Sequence, residues 1–293
     1  MTSVGFIGLG HMGSVLAANL TATLAPAGHS VVEYDVAGPA AATPGASFLD
    51  SVAAVGLGAG VVLLSLPDGL ASQAVVKELT AVDAPAVSLV VDTSTIGISA
   101  ARANAGALAE AGIGYVDAPV SGGVAGARAR TLTVMYAGSD ADCASAEAFL
   151  AGLTDKPAIR VGDTPGMAQA MKLANNFLAA TTLAATSEAV AFGLAAGLDL
   201  ATMLDVLNAS SGASAATSDK FPRQVLTGNY AAGFANTLMA KDVRLYLSSV
   251  GELGGPSQTG SLMSQLWSRF ADDEPGADFT RVFPYLQGRA DTS

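Results

Sequence analysis

The chain has 293 residues, 51% hydrophobic and 13% charged, enough to bury one large or two modest cores. Its 25 acidic against 14 basic residues give a formal charge of −11, which argues against a nucleic-acid partner because backbone phosphates would be repelled. Two histidines, His11 and His29, and one cysteine, Cys143, cannot build the usual zinc ligand set or an intrachain disulfide, so no metal is expected. The aliphatic surplus is mostly alanine, with no long run of large apolar residues, so no membrane span is expected either. The first ten residues lack basic side chains and are broken by glycines, unlike a signal peptide. A cytoplasmic protein is the expectation.

Residues 3–8 read as a buried strand, followed by Gly8-Leu9-Gly10-His11-Met12-Gly13 and an apolar-periodic helix to about Leu24. Glycines at 8, 10 and 13 between strand and helix are the dinucleotide fingerprint. The first allows a tight turn, the second lets the backbone approach a pyrophosphate, and the third lets helix and strand pack closely. His11 fills an unconstrained position of that stretch and is incidental. A second strand, 30–34, ends in Asp35, where a carboxylate can accept both ribose hydroxyls of NAD. The same charge would repel a 2′-phosphate, and no arginine follows nearby, which favours NAD. Single loop residues can reverse that preference, so NADP stays open.

Strands at 61–66, 88–92 and 115–118 continue the alternation with helices, and 134–137 and 159–162 read as further strands closing the domain. Ligands of open α/β sheets bind outside the carboxyl ends of the strands. Ser65-Leu66-Pro67-Asp68, Thr93-Ser94-Thr95 and Ser121-Gly122-Gly123 are therefore expected to line a crevice. The last is a plain turn or an anion cradle of one hydroxyl and successive backbone N–H groups.

From Pro165 to about Ala196 the chain lacks any further proline and is rich in alanine, leucine and methionine, which predicts one long helix starting at Pro165. On a 3.6-residue repeat Gln169, Lys172 and Asn176 share a face, a polar stripe that suggests a helix facing a polar cleft. No acidic residue stands three or four positions from Lys172 to hold it on a surface. After this helix the strand-like runs stop, and 200–208, 231–249 and 261–270 read as helices. The expected architecture is thus an α/β Rossmann-type domain over 1–162 and an all-α domain over 163–293, joined by the long helix.

Four ordered stretches carry a family likeness: GFIGLGHMG at 5–13, DAPVSGG at 117–123, GMAQAMKLANN at 166–176 and GFANTLMAKDVRLYL at 233–247. Together they resemble the β-hydroxyacid dehydrogenase family, which includes 3-hydroxyisobutyrate dehydrogenase and tartronate semialdehyde reductase. The resemblance implies that Ser121, Gly122 and Gly123 hold a substrate carboxylate. It implies Lys172 as the catalytic acid/base, Asn176 as the residue that positions it or the substrate, and Lys241 as a cleft residue serving substrate and cofactor. It also implies cofactor contacts at Leu66, Pro67 and Thr95, and a homodimer or homotetramer. A lysine enclosed by apolar wall beside a positively charged nicotinamide would have its pKa lowered toward working pH.

The chain departs from that pattern at two places. Arg128 and Arg130 in GARARTL stand where relatives carry a small residue and then glycine, and Gly97-Ile98 replaces a turn that often holds proline. The arginines either add charge near the substrate loop or decorate a surface turn, and decoration is the reading favoured here. Lysine at 172 and asparagine at 175 point away from 6-phosphogluconate dehydrogenases and imine reductases on the same scaffold. The expected activity is hydride transfer between a nicotinamide cofactor and a small 3-hydroxy acid or its semialdehyde. The competing readings are an NADPH-dependent imine or aldehyde reductase, and a dinucleotide-binding protein without catalysis.

Overall fold

The computed structural model describes residues 3–290, and the outer ends of the two expected domains lie outside them. It divides into two compact units, Met1–Lys172 and Leu173–Ser293.

Apolar runs bounded by turns form the strands of the first unit. These are β1 (Ser3–Ile7), β2 (Ser30–Tyr34), β3 (Ser47–Phe48), β4 (Val61–Leu64), β5 (Leu89–Asp92), β6 (Gly114–Asp117), β7 (Val120–Ser121), β8 (Thr133–Ala137) and β9 (Ile159–Gly162). Among the described residues they make one sheet, in the order β3-β2-β1-β4-β5-β6-β8-β7, with β9 beside β8. The pairs from β3 to β6 are all parallel, and β8 runs antiparallel to β6 and β7. Strand order 3-2-1-4-5-6 is that of doubly wound dinucleotide folds. The two-residue strands β3 and β7 escape a reading based on periodicity, because two residues carry no period.

The helices of this unit are α1 (Gly13–Leu24), α2 (Val52–Gly58), α3 (Gly69–Thr80), α4 (Ile98–Glu110), α5 (Gly123–Arg128) and α6 (Asp140–Leu153). Side chains alternate across the strands, so each face has its own apolar layer. Val4, Phe6, Leu63, Val91 and Val116 pack with Leu16 and Leu20 of α1 and Leu150 of α6. Ile7, Val62, Leu64 and Val90 pack with Val55 of α2, Val76 and Leu79 of α3 and Leu108 of α4. Burial on both faces explains why these strands read as continuous apolar runs.

The long helix, α7 (Met167–Ala195), begins after Pro165, at the positive-φ residue Gly166 (φ +94°). By length and composition alone it could cross a bilayer, an 18-residue stretch of it reaching a mean hydropathy of 1.4. Core helices of soluble proteins share that property. Ala168 of α7 packs with Met135 and Ala137 of the first unit.

The second unit is helical, with α8 (Leu200–Asn208), α9 (Asn236–Leu253), α10 (Gln258–Asp273) and α11 (Val282–Ala290). Its core gathers Leu183 of α7, Val243 of α9 and an aromatic group of Phe221, Trp267, Phe270, Phe279 and Phe283. Residues Ala216–Val225 form a π-helix that contains Pro222. Pro222 has no N–H to donate, and Thr217 O, five residues before it, accepts from Asn208 Nδ2 (3.1 Å) instead; the helix-breaking proline hid the element in the sequence.

Candidate active site

The turn after β1 is built by its glycines. Gly8 takes φ +98°, and a Cβ on Gly13 would run into the Gly8 carbonyl oxygen, so the loop closes tightly on the helix. Around Gly10 nothing lies within 4 Å of where a Cβ would point, which leaves the backbone open to a ligand. At the head of α1, the N-cap Met12 makes no side-chain hydrogen bond and the first turn holds no acidic residue. No side chain of the helix's own first turn therefore offsets the partial positive charge of its N-terminus. Room above Gly10 and an uncapped helix fit the pyrophosphate of a nicotinamide dinucleotide. Leu9 is buried, Met12 is half-buried and His11 is exposed.

Asp35 stands just past the end of β2. Its Oδ2 accepts from Leu9 N (2.5 Å) and its Oδ1 from Ala37 N (2.7 Å). The carboxylate is thereby fixed beside the glycine loop. A carboxylate offers about four lone-pair directions, so acceptor capacity remains for hydroxyls.

The ends of β4 and β5 are stitched together. Leu66 N donates to Ser94 Oγ (2.8 Å), and the Thr93 hydroxyl donates to Leu64 O (2.6 Å). Below them lies a buried polar network. The Ser72 hydroxyl (2.6 Å) and Ser94 N (2.9 Å) donate to Asp92, and Asn104 donates to Ser72 (2.8 Å). Burial pushes the Asp92 carboxyl above its ordinary range, against those hydrogen bonds. Asp117, its register partner on β6, is pushed up to about 6, first by burial and further by the Asp92 charge.

Asp117 reaches α7. Its Oδ1 accepts from Gly166 N (3.0 Å) and its Oδ2 from Gln169 N (2.9 Å), capping the first turn of the helix. Gln169 completes the attachment: Oε1 accepts from Ile96 N (2.9 Å) and Gly97 N (3.1 Å), and Nε2 donates to Ser94 O (2.9 Å). The polar stripe is thus not uniform. Gln169 is fully buried and spent on backbone partners, a correction to the expectation that it faces a cleft. Lys172, three residues further on, is only 8% exposed.

Ser121 lies in β7 opposite Thr133 of β8, half-buried. Gly122 and Gly123 follow at φ +132° and +66°, ahead of the first hydrogen bond of α5, from Gly126 N to Gly122 O. Arg130 faces elsewhere. Its guanidinium reaches Asp155 (2.6 Å) and the carbonyls of Gly152 (3.0 Å) and Ala151 (3.4 Å) at the end of α6. Its contacts clasp the turn after α5 to the end of α6. Arg128 is exposed in the last turn of α5.

In the second unit Asn176 is buried and donates through Nδ2 to Asp242 Oδ2 (2.6 Å), while Asn175 donates to Asn176 Oδ1 (3.1 Å). The other Asp242 oxygen is 3.3 Å from Lys241 Nζ, an ion pair without hydrogen-bond geometry. Asp242 therefore serves both Asn176 and Lys241. Sequence reasoning passed it over, although an aspartate next to Lys241 in the quoted motif was visible. Asp92 and Asp117 were missed likewise; their signal is an acidic residue closing an apolar strand. Among the described residues no cluster of His, Cys, Asp or Glu side chains forms a metal site.

The sheet order, the glycine loop and the uncapped helix define a dinucleotide-binding domain. Comparison with known proteins agrees. The family model described as "NAD binding domain of 6-phosphogluconate dehydrogenase" matches residues 3–162, and that described as "NAD-binding of NADP-dependent 3-hydroxyisobutyrate dehydrogenase" matches 166–286. The 3-hydroxyisobutyrate dehydrogenase of Pseudomonas aeruginosa is 34% identical, covering 99% of this chain and 100% of that protein. The 2-(hydroxymethyl)glutarate dehydrogenase of Eubacterium barkeri is 34% identical over 90% of this chain and 87% of its own. A solved Mycobacterium tuberculosis 3-hydroxyisobutyrate dehydrogenase with L-serine superposes with TM-score 0.89 at 30% identity, covering 98% of this chain and 99% of that one. The chain belongs to the β-hydroxyacid dehydrogenase family and is an NAD(P)-dependent enzyme.

Proposed function

We propose that this protein oxidises a short acid bearing the unit HOCH2–CHR–COO−, or reduces the matching semialdehyde, with NAD preferred over NADP. The observation that carries the reading is Lys172, an 8%-exposed lysine one turn beyond a helix end bonded to the backbone at the carboxyl end of β5. The relatives support the substrate class by their chemistry. 3-Hydroxyisobutyrate, 2-(hydroxymethyl)glutarate and L-serine all carry a hydroxymethyl group on the carbon next to a carboxylate.

The nicotinamide, when bound, exchanges a hydride with the alcohol carbon. The Lys172 amine takes the hydroxyl proton at Nζ during oxidation and returns it to the developing alkoxide during reduction. Asn176, a turn along the same helix and held by Asp242, positions the lysine or the substrate. The Ser121 hydroxyl, the amides of Gly122 and Gly123, and Lys241 bind the substrate carboxylate, fixing which carbon meets the cofactor. Gly8 to Gly13, Asp35, Leu66, Pro67, Thr95 and Lys241 hold the cofactor, and the Asp35 carboxylate disfavours a 2′-phosphate. The same reading makes the protein a cytoplasmic homo-oligomer that needs neither membrane nor nucleic acid.

The test is NADH formation with 3-hydroxyisobutyrate, glycerate, 3-hydroxypropionate and serine, against 4-hydroxybutyrate, which lacks the shared unit. We expect turnover with at least one of the first four, and kcat/KM about tenfold or more higher with NAD than with NADP. Lys172→Ala should lower kcat by about 10²- to 10⁴-fold while NADH affinity stays. Near-normal turnover in that variant would remove the lysine from the mechanism.

A further inference from the structure

We infer that Gln169 is a positioning residue for Lys172, locking the first turn of α7 to the segment that carries Thr95. The inference rests on the proposed role of Lys172. The motif stretch GMAQAMKLANN contains the glutamine, and nothing about hydride transfer calls for an amide there. What the side chain does is visible in its partners.

A glutamine in the first turn of a helix ordinarily points to water. Gln169 is instead fully buried, and its one amide group makes three hydrogen bonds. The acceptor oxygen serves the amides of Ile96 and Gly97, which lie at the start of α4, where the N-cap Gly97 offers no side chain of its own. The NH2 group serves the Ser94 carbonyl on the other side of Thr95. One side chain therefore brackets Thr95 from both neighbours and fixes it relative to α7. From below, Asp117 holds the Gly166 and Gln169 amides. Lys172 stands three positions after Gln169, which places them on the same helix face. Any tilt of the first turn is carried directly to the amine.

The requirement is chemical as well as geometric. The site needs an acceptor and a donor on one planar group, at the reach of a glutamine side chain. Alanine supplies neither. Glutamate supplies the acceptor always, but the donor only when it is protonated. A role in packing alone would be indifferent to that proton.

The experiment compares Gln169→Ala and Gln169→Glu with the unaltered full-length protein, reading kcat, KM, NADH affinity and melting temperature. For Gln169→Ala we expect kcat to fall about 10- to 100-fold, with KM and NADH affinity within about threefold, since a misplaced reacting group loses rate before binding. For Gln169→Glu, kcat relative to the unaltered protein should climb as pH falls from about 8 to about 6, as the buried carboxyl protonates and regains the donor to Ser94. Measuring the ratio at each pH removes only the pH dependence that the two proteins share. A folded Gln169→Ala protein with kcat within about twofold overturns the inference, as does a Gln169→Glu ratio that is flat with pH. Loss of kcat together with a collapse of the melting temperature in both variants also overturns it, because that is unfolding and not positioning. If the unaltered protein turns over none of the acids, the functional reading fails first and the inference with it.

Discussion

Asp117 combines two demands that oppose each other. As an ionised carboxylate it accepts two backbone amides at the head of α7, yet burial and the neighbouring Asp92 raise its pKa to about 6. In the unfolded chain an aspartate titrates near 3.8. Between those values the folded protein binds more protons than the unfolded one, so stability falls as pH rises through the window and is regained on acidification. From pH about 7.5 to about 5, wild type should therefore gain about 1.4 kcal/mol relative to Asp117→Asn, in which this titration is absent. Thermal unfolding at the two pH values reads it as a shift of about 2–4 °C in the melting-temperature gap, in favour of wild type. A gap that stays constant, or moves the other way, contradicts the burial effect. None of this was legible in the chain. DAPVSGG drew attention to its serine and glycines, whereas the function of its aspartate depends on Gly166 and Gln169, distant in sequence.

At the scale of elements, the alternation of strand and helix through the first unit was readable because each strand is buried on both faces and each turn is marked. The long helix was readable from its uninterrupted helix formers. Its anchoring was not, because periodicity assigns Gln169 to a polar face without revealing that the face is enclosed there. Arg130 is a second case. It occupies φ +54°, a region that favours glycine, and its guanidinium ties the turn after α5 to the end of α6. The hydrogen bonds offset a backbone conformation that costs about 1–2 kcal/mol for a side-chain-bearing residue. Arg130→Ala loses the bonds and keeps the strained backbone, whereas Arg130→Gly loses the bonds and relieves the strain. The expected order of stability is wild type, then Arg130→Gly, then Arg130→Ala, the two variants separated by about 1 kcal/mol. Melting temperatures check the order, and both variants should keep their KM for the acid. A KM raised about tenfold or more by Arg130→Ala would return the side chain to the substrate loop.

For the whole molecule, the acidic surface and the exposed apolar residues of the second unit pull in different directions. A net charge of −11 keeps copies apart, yet Leu178 and Phe192 on α7, Leu198 after it and Val206 on α8 are 60%, 76%, 55% and 60% exposed. Large side chains left in water, with Leu178 and Phe192 about four turns apart on one helix, are the material of a protein contact or a membrane contact. The membrane alternative fits α7 poorly, since Lys172 and Glu188 lie within it and a charge at bilayer depth costs about 2.5 kcal/mol or more. Association between copies satisfies the same surface and leaves both charges in protein or water. In solution the mass should then be a multiple of 29.0 kDa by light scattering coupled to size exclusion. A Leu178→Asp, Phe192→Asp double substitution should return it to one chain, because like charges brought together at such a contact would repel. The protein should stay in the supernatant when membranes are pelleted. A single-chain mass for the unaltered protein at micromolar concentration would sink the association, and recovery in the membrane pellet would assign the apolar face to lipid.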